Sequence, residues 1–217
     1  MHELPLQPII RTSEGGSASD MNDEERIGDM PRRVLWRRID MEGLDACSYC
    51  REGDGYSVSG TALYLDGAEP ARLEYRVCCT SDWSSGSASV AGWTGDRRRD
   101  LSLSRDATGE WLLDGKAVPG VRGLVDIDLG FTPATNTNAI RRLDLAIGED
   151  VETTAVWLDT EDWCFKPLRQ VYRRLSETEF AYRSPTHGYA ATLTADAFGI
   201  VREYPELWTA VSGAGTG

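Results

Sequence analysis

Apolar and polar residues alternate with a period of two through much of the chain: Tyr56-Ser-Val58-Ser-Gly60-Thr-Ala62, Leu73-Glu-Tyr75-Arg-Val77 and Leu101-Ser-Leu103-Ser. Successive side chains of a strand point to opposite faces, so this pattern predicts strands with one buried face. The runs Trp111-Leu112-Leu113, Ala155-Val156-Trp157-Leu158 and Ala190-Ala191-Thr192-Leu193 have the length and residue types of further strands. Turn signals separate them at short intervals: Asp54-Gly55, Asp66-Gly67, Thr108-Gly109, Asp114-Gly115 and Phe198-Gly199. Asp-Gly pairs favour the positive φ that tight hairpins require. Many short strands at even spacing predict a mainly β chain, an antiparallel meander closed or strongly curled so that few edges stay open.

Helix signals are scarce. Thr135-Asn136-Thr137-Asn138-Ala139-Ile140-Arg141-Arg142-Leu143 predicts one helix, with Thr or Asn as cap and Ile140 and Leu143 on a shared face. The spacing of Leu168, Val171, Tyr172 and Leu175 fits a helical face, while Val171 and Tyr172 fit a strand equally well. Residues 1–31 are poor in large apolar groups and hold seven acids against two arginines, which predicts a disordered acidic tail. The folded domain is expected over 32–210, followed by a flexible tail over 211–217.

Charge and composition narrow the function. The formal charge of −12 argues against nucleic acid and anionic bilayers, whose phosphates call for clustered Lys and Arg. No stretch reaches the roughly 18 apolar residues of a membrane span, so the chain is not expected to be integral to a membrane. The first residues lack a basic stretch followed by a long apolar run; with five cysteines, an odd number, this points to reduced thiols and a cytoplasmic location.

Several motifs carry chemistry on paper. Cys47-x-x-Cys50 and Cys78-Cys79 offer four thiolates, but adjacent residues on a strand face opposite ways and cannot both ligate one zinc ion, so buried free thiols are expected and no metal. Cys164, between Trp163 and Phe165, reads as core. Asp126 and Asp128 share one face of a strand, the arrangement of a magnesium site or of an acid and base in glycoside cleavage. The structural reading is that they pair with Arg141 and Arg142 or bind turn amides. His187 sits in the expected turn Ser184–Gly188 with no Gly-x-Ser-x-Gly elbow to serve, Ser84–Ser87 reads as an exposed loop, and no phosphate-loop or Gly-x-Gly-x-x-Gly pattern appears. No catalytic residue and no cofactor are therefore assigned.

One long pattern resembles a known family. Asp126-Ile-Asp128-Leu-Gly-Phe-Thr132-Pro133-Ala-Thr135-Asn136-Thr137, followed by Ile140-Arg141-Arg142-Leu143, stands with Trp36-Arg37-Arg38 upstream and Gly199-Ile-Val201-Arg-Glu-Tyr204-Pro205-Glu-Leu207-Trp208 downstream. With Leu73–Val77, Trp83 and Gln170-Val-Tyr172, these blocks resemble, in order over about residues 33–210, the putative glycolipid-binding family of bacterial proteins. The resemblance implies a spiral β-roll, a long curled sheet wrapped around a single α-helix, assembled as a homodimer. It also implies a lipid or glycolipid ligand, through the fold's likeness to lipid-carrying lipoproteins.

On this reading the ligand lies in an apolar cavity of the curled sheet. Arg37, Arg141 or Arg142 orients its head, and Trp36 and Trp208 stack on it. Pro133 shapes a turn; Thr132, Thr135 and Asn136 satisfy backbone groups and cap the helix. Tyr204 and Pro205 belong to the structural part of the motif. Two other readings remain: an enzyme acting on a sugar or phosphate ester through Asp126 and Asp128, and a dimeric scaffold packed solid around its helix.

Overall fold

The computed structural model describes residues 30–213. The expected acidic tail lies outside the described residues except for Met30 and Pro31, as does the chain after Gly213.

The chain enters the middle of one sheet at β1 (Arg32–Arg38). It walks outward through β2 (Gly43–Glu52), β3 (Gly55–Asp66), β4 (Glu69–Cys79), β5 (Ser85–Thr94), β6 (Arg97–Arg105), β7 (Trp111–Leu113) and β8 (Lys116–Ala117). It then crosses to the opposite edge at β9 (Asp126–Leu129) and runs through the helix α1 (Asn136–Leu143). The return passes through β10 (Asp150–Asp159), β11 (Cys164–Arg174), β12 (Glu179–Ser184), β13 (Tyr189–Ala195), β14 (Val201–Tyr204) and β15 (Trp208–Gly213). β15 pairs with β1, so the two halves of the walk are stitched at the centre of a fifteen-stranded, unclosed sheet. The sheet curls around α1, whose residues Asn136–Ile140 are all buried.

The period-two pattern governs which face is buried. On β4 the alternation sends Ala71, Leu73, Tyr75, Val77 and Cys79 inward, and on β2 it sends Asp45, Cys47 and Tyr49 inward. The interior is filled by large side chains under 2% exposed, among them Trp36, Trp111, Phe131 and Tyr172. At Asp114-Gly115 both residues have positive φ (48° and 79°), the conformation that the Asp-Gly pair supplies at low steric cost.

Three expectations are corrected, and the open choice at Leu168–Leu175 is decided. The meander is not wholly antiparallel: β9 and β10 run parallel, which requires the crossover that α1 provides. The segment Leu168–Leu175 is strand through Arg174, its β-branched and aromatic residues pairing with β10 and β12. Ser85, Gly86 and Ser87 open β5, with Ser85 buried, rather than forming an exposed loop. Cys164 is exposed: alternation at the start of β11 sends its neighbour Phe165 into the core instead. At the far end, β15 continues to Gly213, three residues past the boundary expected at 210.

A polar cluster ties the sheet to the turn before α1. Tyr75 Oη donates to Asp45 Oδ2 at 2.9 Å, and Thr132 Oγ1 donates to the same oxygen. Gly60 makes this reach possible, because a Cβ there would stand 2.4 Å from Tyr75 Oη. Tyr49 Oη donates to Ala134 O at 2.9 Å and meets Thr137 Oγ1 at 3.0 Å. Asp45 is fully buried, and desolvation pushes its carboxyl up to about 6 against the lowering effect of its two hydroxyl donors.

Candidate functional site

The expected site residues fall on β1, on β9 and the turn after it, on α1, and on the β14–β15 hairpin. Two clefts flank the helix, an upper one beside its first residue and a lower one beside its last turn.

The lower cleft, about 420 Å³, is lined by Arg141, Arg142 and Arg174 with Tyr56, Trp83 and Phe198. Arg142 grips Asp126 with two hydrogen bonds of 2.6 Å, and Thr153 Oγ1 adds a third at 2.9 Å. Asp126 is 2% exposed, so this is a closed, bidentate ion pair rather than half of an acid–base couple. Arg141 donates through Nη1 to Phe198 O at 3.1 Å, and its guanidinium lies 4.6 Å from the Phe198 ring centre and 5.3 Å from that of Trp83. Arg174 donates to the carbonyls of Leu145, Ser176 and Glu177.

The upper cleft, about 200 Å³, gathers residues from the other expected set. Asp128, Thr132 and Asn136 come from β9, the turn after it and the start of α1; Tyr204 and Trp208 come from the β14–β15 hairpin. Trp157, Tyr182, His187 and Tyr189 complete the wall. Asp128 is half-buried and accepts a 2.6 Å hydrogen bond from Gln170 Nε2, which also donates to Tyr182 Oη at 3.1 Å. Burial pushes Asp128 up to about 6, with Gln170 lowering and Asp126 raising it.

The tyrosines form a packed set, with ring centres of Tyr182 and Tyr204 5.8 Å apart and of Tyr189 and Tyr204 5.7 Å apart. Tyr189 Oη is anchored on Pro205 O at 2.7 Å. His187 ends a short 3-10 turn (Pro185–His187) and sets its ring edge-on to Trp157, with Ser184 Oγ 3.1 Å from its Nδ1. Gly130 lets the Trp157 indole close over the cleft, since a Cβ there would stand 2.8 Å from Trp157 Nε1 and 2.7 Å from Leu158 O.

The remaining motif residues are structural, in ways that partly differ from expectation. Thr135 precedes α1 but makes no capping bond; its Oγ1 accepts from Leu129 N at 3.2 Å, because its own backbone is already helical. Asn136 Nδ2 donates to Tyr172 Oη at 2.9 Å, so it ties α1 to β11 instead of capping it. Pro133 O accepts from Asn136 N at 3.2 Å in the turn. Trp36 is fully buried and donates Nε1 to Val201 O at 2.7 Å, a core role that leaves no face for a ligand. Arg37 points outward from the sheet, away from both clefts.

Arg37 instead borders an open groove of about 1070 Å³ with Arg38, Ile39, Met41, Leu44, Leu63, Leu65 and Trp93. Arg38 faces the other way from Arg37: its guanidinium lies 5.2 Å from the Trp208 ring centre, and beside it Ile39 N donates to Leu207 O at 2.9 Å.

Sequence reasoning missed Trp157, Tyr182 and Tyr189 as cleft residues and set His187 aside. The one available signal was Gln170, a polar residue at an inward position of an otherwise apolar strand face. The cysteines are free; burial raises Cys47 well above the usual thiol range and Cys79 to about 12, which keeps both protonated. Among the described residues, no group of three or more His, Cys, Asp or Glu is placed to hold a metal ion, and no helix is long and apolar enough to cross a membrane.

Comparison with known proteins agrees with this architecture. A crystal structure of a DUF1089 family protein from Pseudomonas aeruginosa is similar, at 30% sequence identity and a TM-score of 0.69, over 77% of this chain and 91% of that one. No curated protein matches. The family model described as putative glycolipid-binding matches residues 33–210, from β1 into β15, and the chain belongs to that family.

Proposed function

We propose that the protein binds the sugar head of a glycolipid in the upper cleft and does not transform it. The observation that carries this reading is a half-buried carboxylate, Asp128, set among the rings of Trp157, Tyr182, Tyr189 and Tyr204. Aromatic faces pack against the C–H faces of a pyranose, while a carboxylate and an amide fix its hydroxyls. Asp128 has one hydrogen-bond partner, Gln170, and retains acceptor capacity for a ligand hydroxyl. The family membership supports the same ligand class. Paired-carboxylate hydrolysis is disfavoured because Asp126 is consumed by Arg142, which leaves Asp128 as the one carboxylate lining the cleft.

A titration with octyl glucoside, followed by calorimetry, tests this. Asp128→Asn and Trp157→Ala each weaken binding about tenfold or more, consistent with the loss of a charged hydrogen bond or of an aromatic contact, while near-ultraviolet circular dichroism stays native. Unchanged affinity in both variants would overturn the assignment. A glycoside turned over in solution, with turnover lost in Asp128→Asn, would show an enzyme instead.

A further inference from the structure

The lower cleft carries an arginine whose pairing is incomplete. Arg38, Arg142 and Arg169 each grip a carboxylate through the same guanidinium edge, Nε together with Nη2, on Asp40, Asp126 and Glu152 respectively. That edge offers two parallel N–H groups at the spacing of two carboxylate oxygens. In Arg141 the edge is open. Its one hydrogen bond leaves from Nη1, Nε is buried without a partner, and Nη2 bonds nothing among the described residues. An unpartnered buried donor carries a desolvation cost that a ligand acceptor returns.

The open edge is held in place before any ligand arrives. The Arg141 guanidinium rests against the rings of Phe198 and Trp83, and Trp83 stacks on Tyr56 with ring centres 4.1 Å apart and planes 14° from parallel. Asp196 accepts from the amides of Phe198 and Ile200, each at 3.0 Å, which fixes the turn that carries Phe198. Gly199 lets that turn close on α1: its φ is 98°, and a Cβ there would stand 3.2 Å from Ile140 Cγ2 and 3.4 Å from Arg141 Cδ. A cation ordered in advance lowers the entropy cost of binding.

We propose that the lower cleft binds a second ligand, a monocarboxylate borne on a ring-sized apolar body, with the carboxylate on the Nε/Nη2 edge of Arg141. The site lies at the other end of α1 from the sugar cleft and does not depend on that reading. Its volume of about 420 Å³ suits a small ligand, and Tyr56, Trp83 and Phe180 give it apolar walls.

The charges around the cleft select a single negative charge. Beside the three arginines stand Asp82, Asp144, Glu177 and Asp196. Asp82 and Asp196 are engaged by groups of their own turns, while Asp144 and Glu177 are exposed. A phosphate dianion would meet about twice the repulsion from these acids that a carboxylate meets.

Phenylpropionate and its neutral amide, phenylpropionamide, share a body and differ in charge, so calorimetry on the full chain isolates the carboxylate contact. The wild type binds the acid about tenfold or more tighter than the amide, the factor of a hydrogen bond to a charged group. Arg141→Met brings that preference to within about twofold. Arg141→Lys keeps the charge but lacks the fork and retains part of the preference. Tyr56→Ala weakens acid and amide by a common factor and keeps their ratio. An arginine with a purely structural role would move both probes together.

Amide NMR of the wild type locates the site without any variant. Titration with phenylpropionate shifts signals of residues 140–145 and 196–199 and leaves those of residues 182–189, at the upper cleft, in place. Acid and amide bound alike, binding of neither, a preference that survives in Arg141→Met, or shifts confined to the upper cleft would each overturn the proposal. The sugar reading is decided separately, by glucoside affinity in the Asp128 and Trp157 variants.

Discussion

The lower and upper clefts flank the same helix yet use charge in opposite ways. The lower cleft is the larger and holds three arginines, the composition expected of a headgroup site. Two of its three cations are committed to the protein, Arg142 to Asp126 and Arg174 to three carbonyls, while Arg141 makes one hydrogen bond, to Phe198 O, lies against two aromatic rings and leaves its buried Nε without a partner. Two of its four acids are committed too. Asp196 accepts from the amides of Phe198 and Ile200, and Asp82 accepts from Thr80 and Ser84. The upper cleft holds one carboxylate with one partner, half-exposed beside aromatic faces. The two clefts thus differ in the group left open and its setting: an arginine laid against rings in the lower cleft, and a carboxylate beside aromatic faces in the upper one.

The sharpest way to break this contrast is Arg142→Ala. It leaves Asp126 buried without its cation, and uncompensated buried charge costs about 3–5 kcal/mol. Urea denaturation should show that loss, while glucoside affinity of the folded variant stays within about twofold. A specific loss of binding without loss of stability would move the ligand to the lower cleft.

Acidity gives the next largest effect and separates two carboxyls raised for the same reason. Asp45 is sealed in the core and Asp128 faces the upper cleft, and burial pushes each to about 6. A folded-state pKa above the unfolded value of 3.8 means that the folded form binds the proton more tightly. The stability from Asp45 is therefore fully present below about 4 and is lost as pH rises through 6, a change of about 3 kcal/mol. The stability difference between wild type and Asp45→Asn should fall in that direction between pH 4 and 7. Sugar binding should change near pH 6 through Asp128 alone: Asp45→Asn keeps the change and Asp128→Asn abolishes it.

The smallest effect belongs to Arg141. Its ring contacts and one carbonyl bond make Arg141→Ala cost about 1–2 kcal/mol of stability, with glucoside binding unaltered. A tenfold loss of binding at unchanged stability would make Arg141 a headgroup ligand after all.

Much of the sheet was legible because its alternation is strict. Leu73-Glu-Tyr75-Arg-Val77 can bury only one set of side chains, and β4 does so. The helix was legible because Ile140 and Leu143 share a face while the surrounding segments have period two. The parallel pairing of β9 with β10 was not, since local pattern says nothing about which strand a crossover returns to. In the site, adjacency of Arg141 and Arg142 on a helix implied divergent directions, and the structure separates their partners accordingly. The upper cleft was hidden because Asp128, Trp157, Tyr182 and Tyr204 lie on four different strands, brought together by strand order rather than spacing. Trp36 misled because its place in the motif reflects packing against Val201.

The central claim is that the upper cleft, and not the arginine-lined one, holds a glycolipid head. Native mass spectrometry of freshly purified protein, with organic extraction of what stays bound, tests it most directly when run on the wild type, Trp157→Ala and Arg141→Ala. The account predicts a near-stoichiometric adduct that extracts as a glycolipid, present in the wild type and Arg141→Ala and lost in Trp157→Ala. An adduct retained by Trp157→Ala and lost in Arg141→Ala, or a wild type that carries no adduct and accepts no glycolipid on titration, would contradict it.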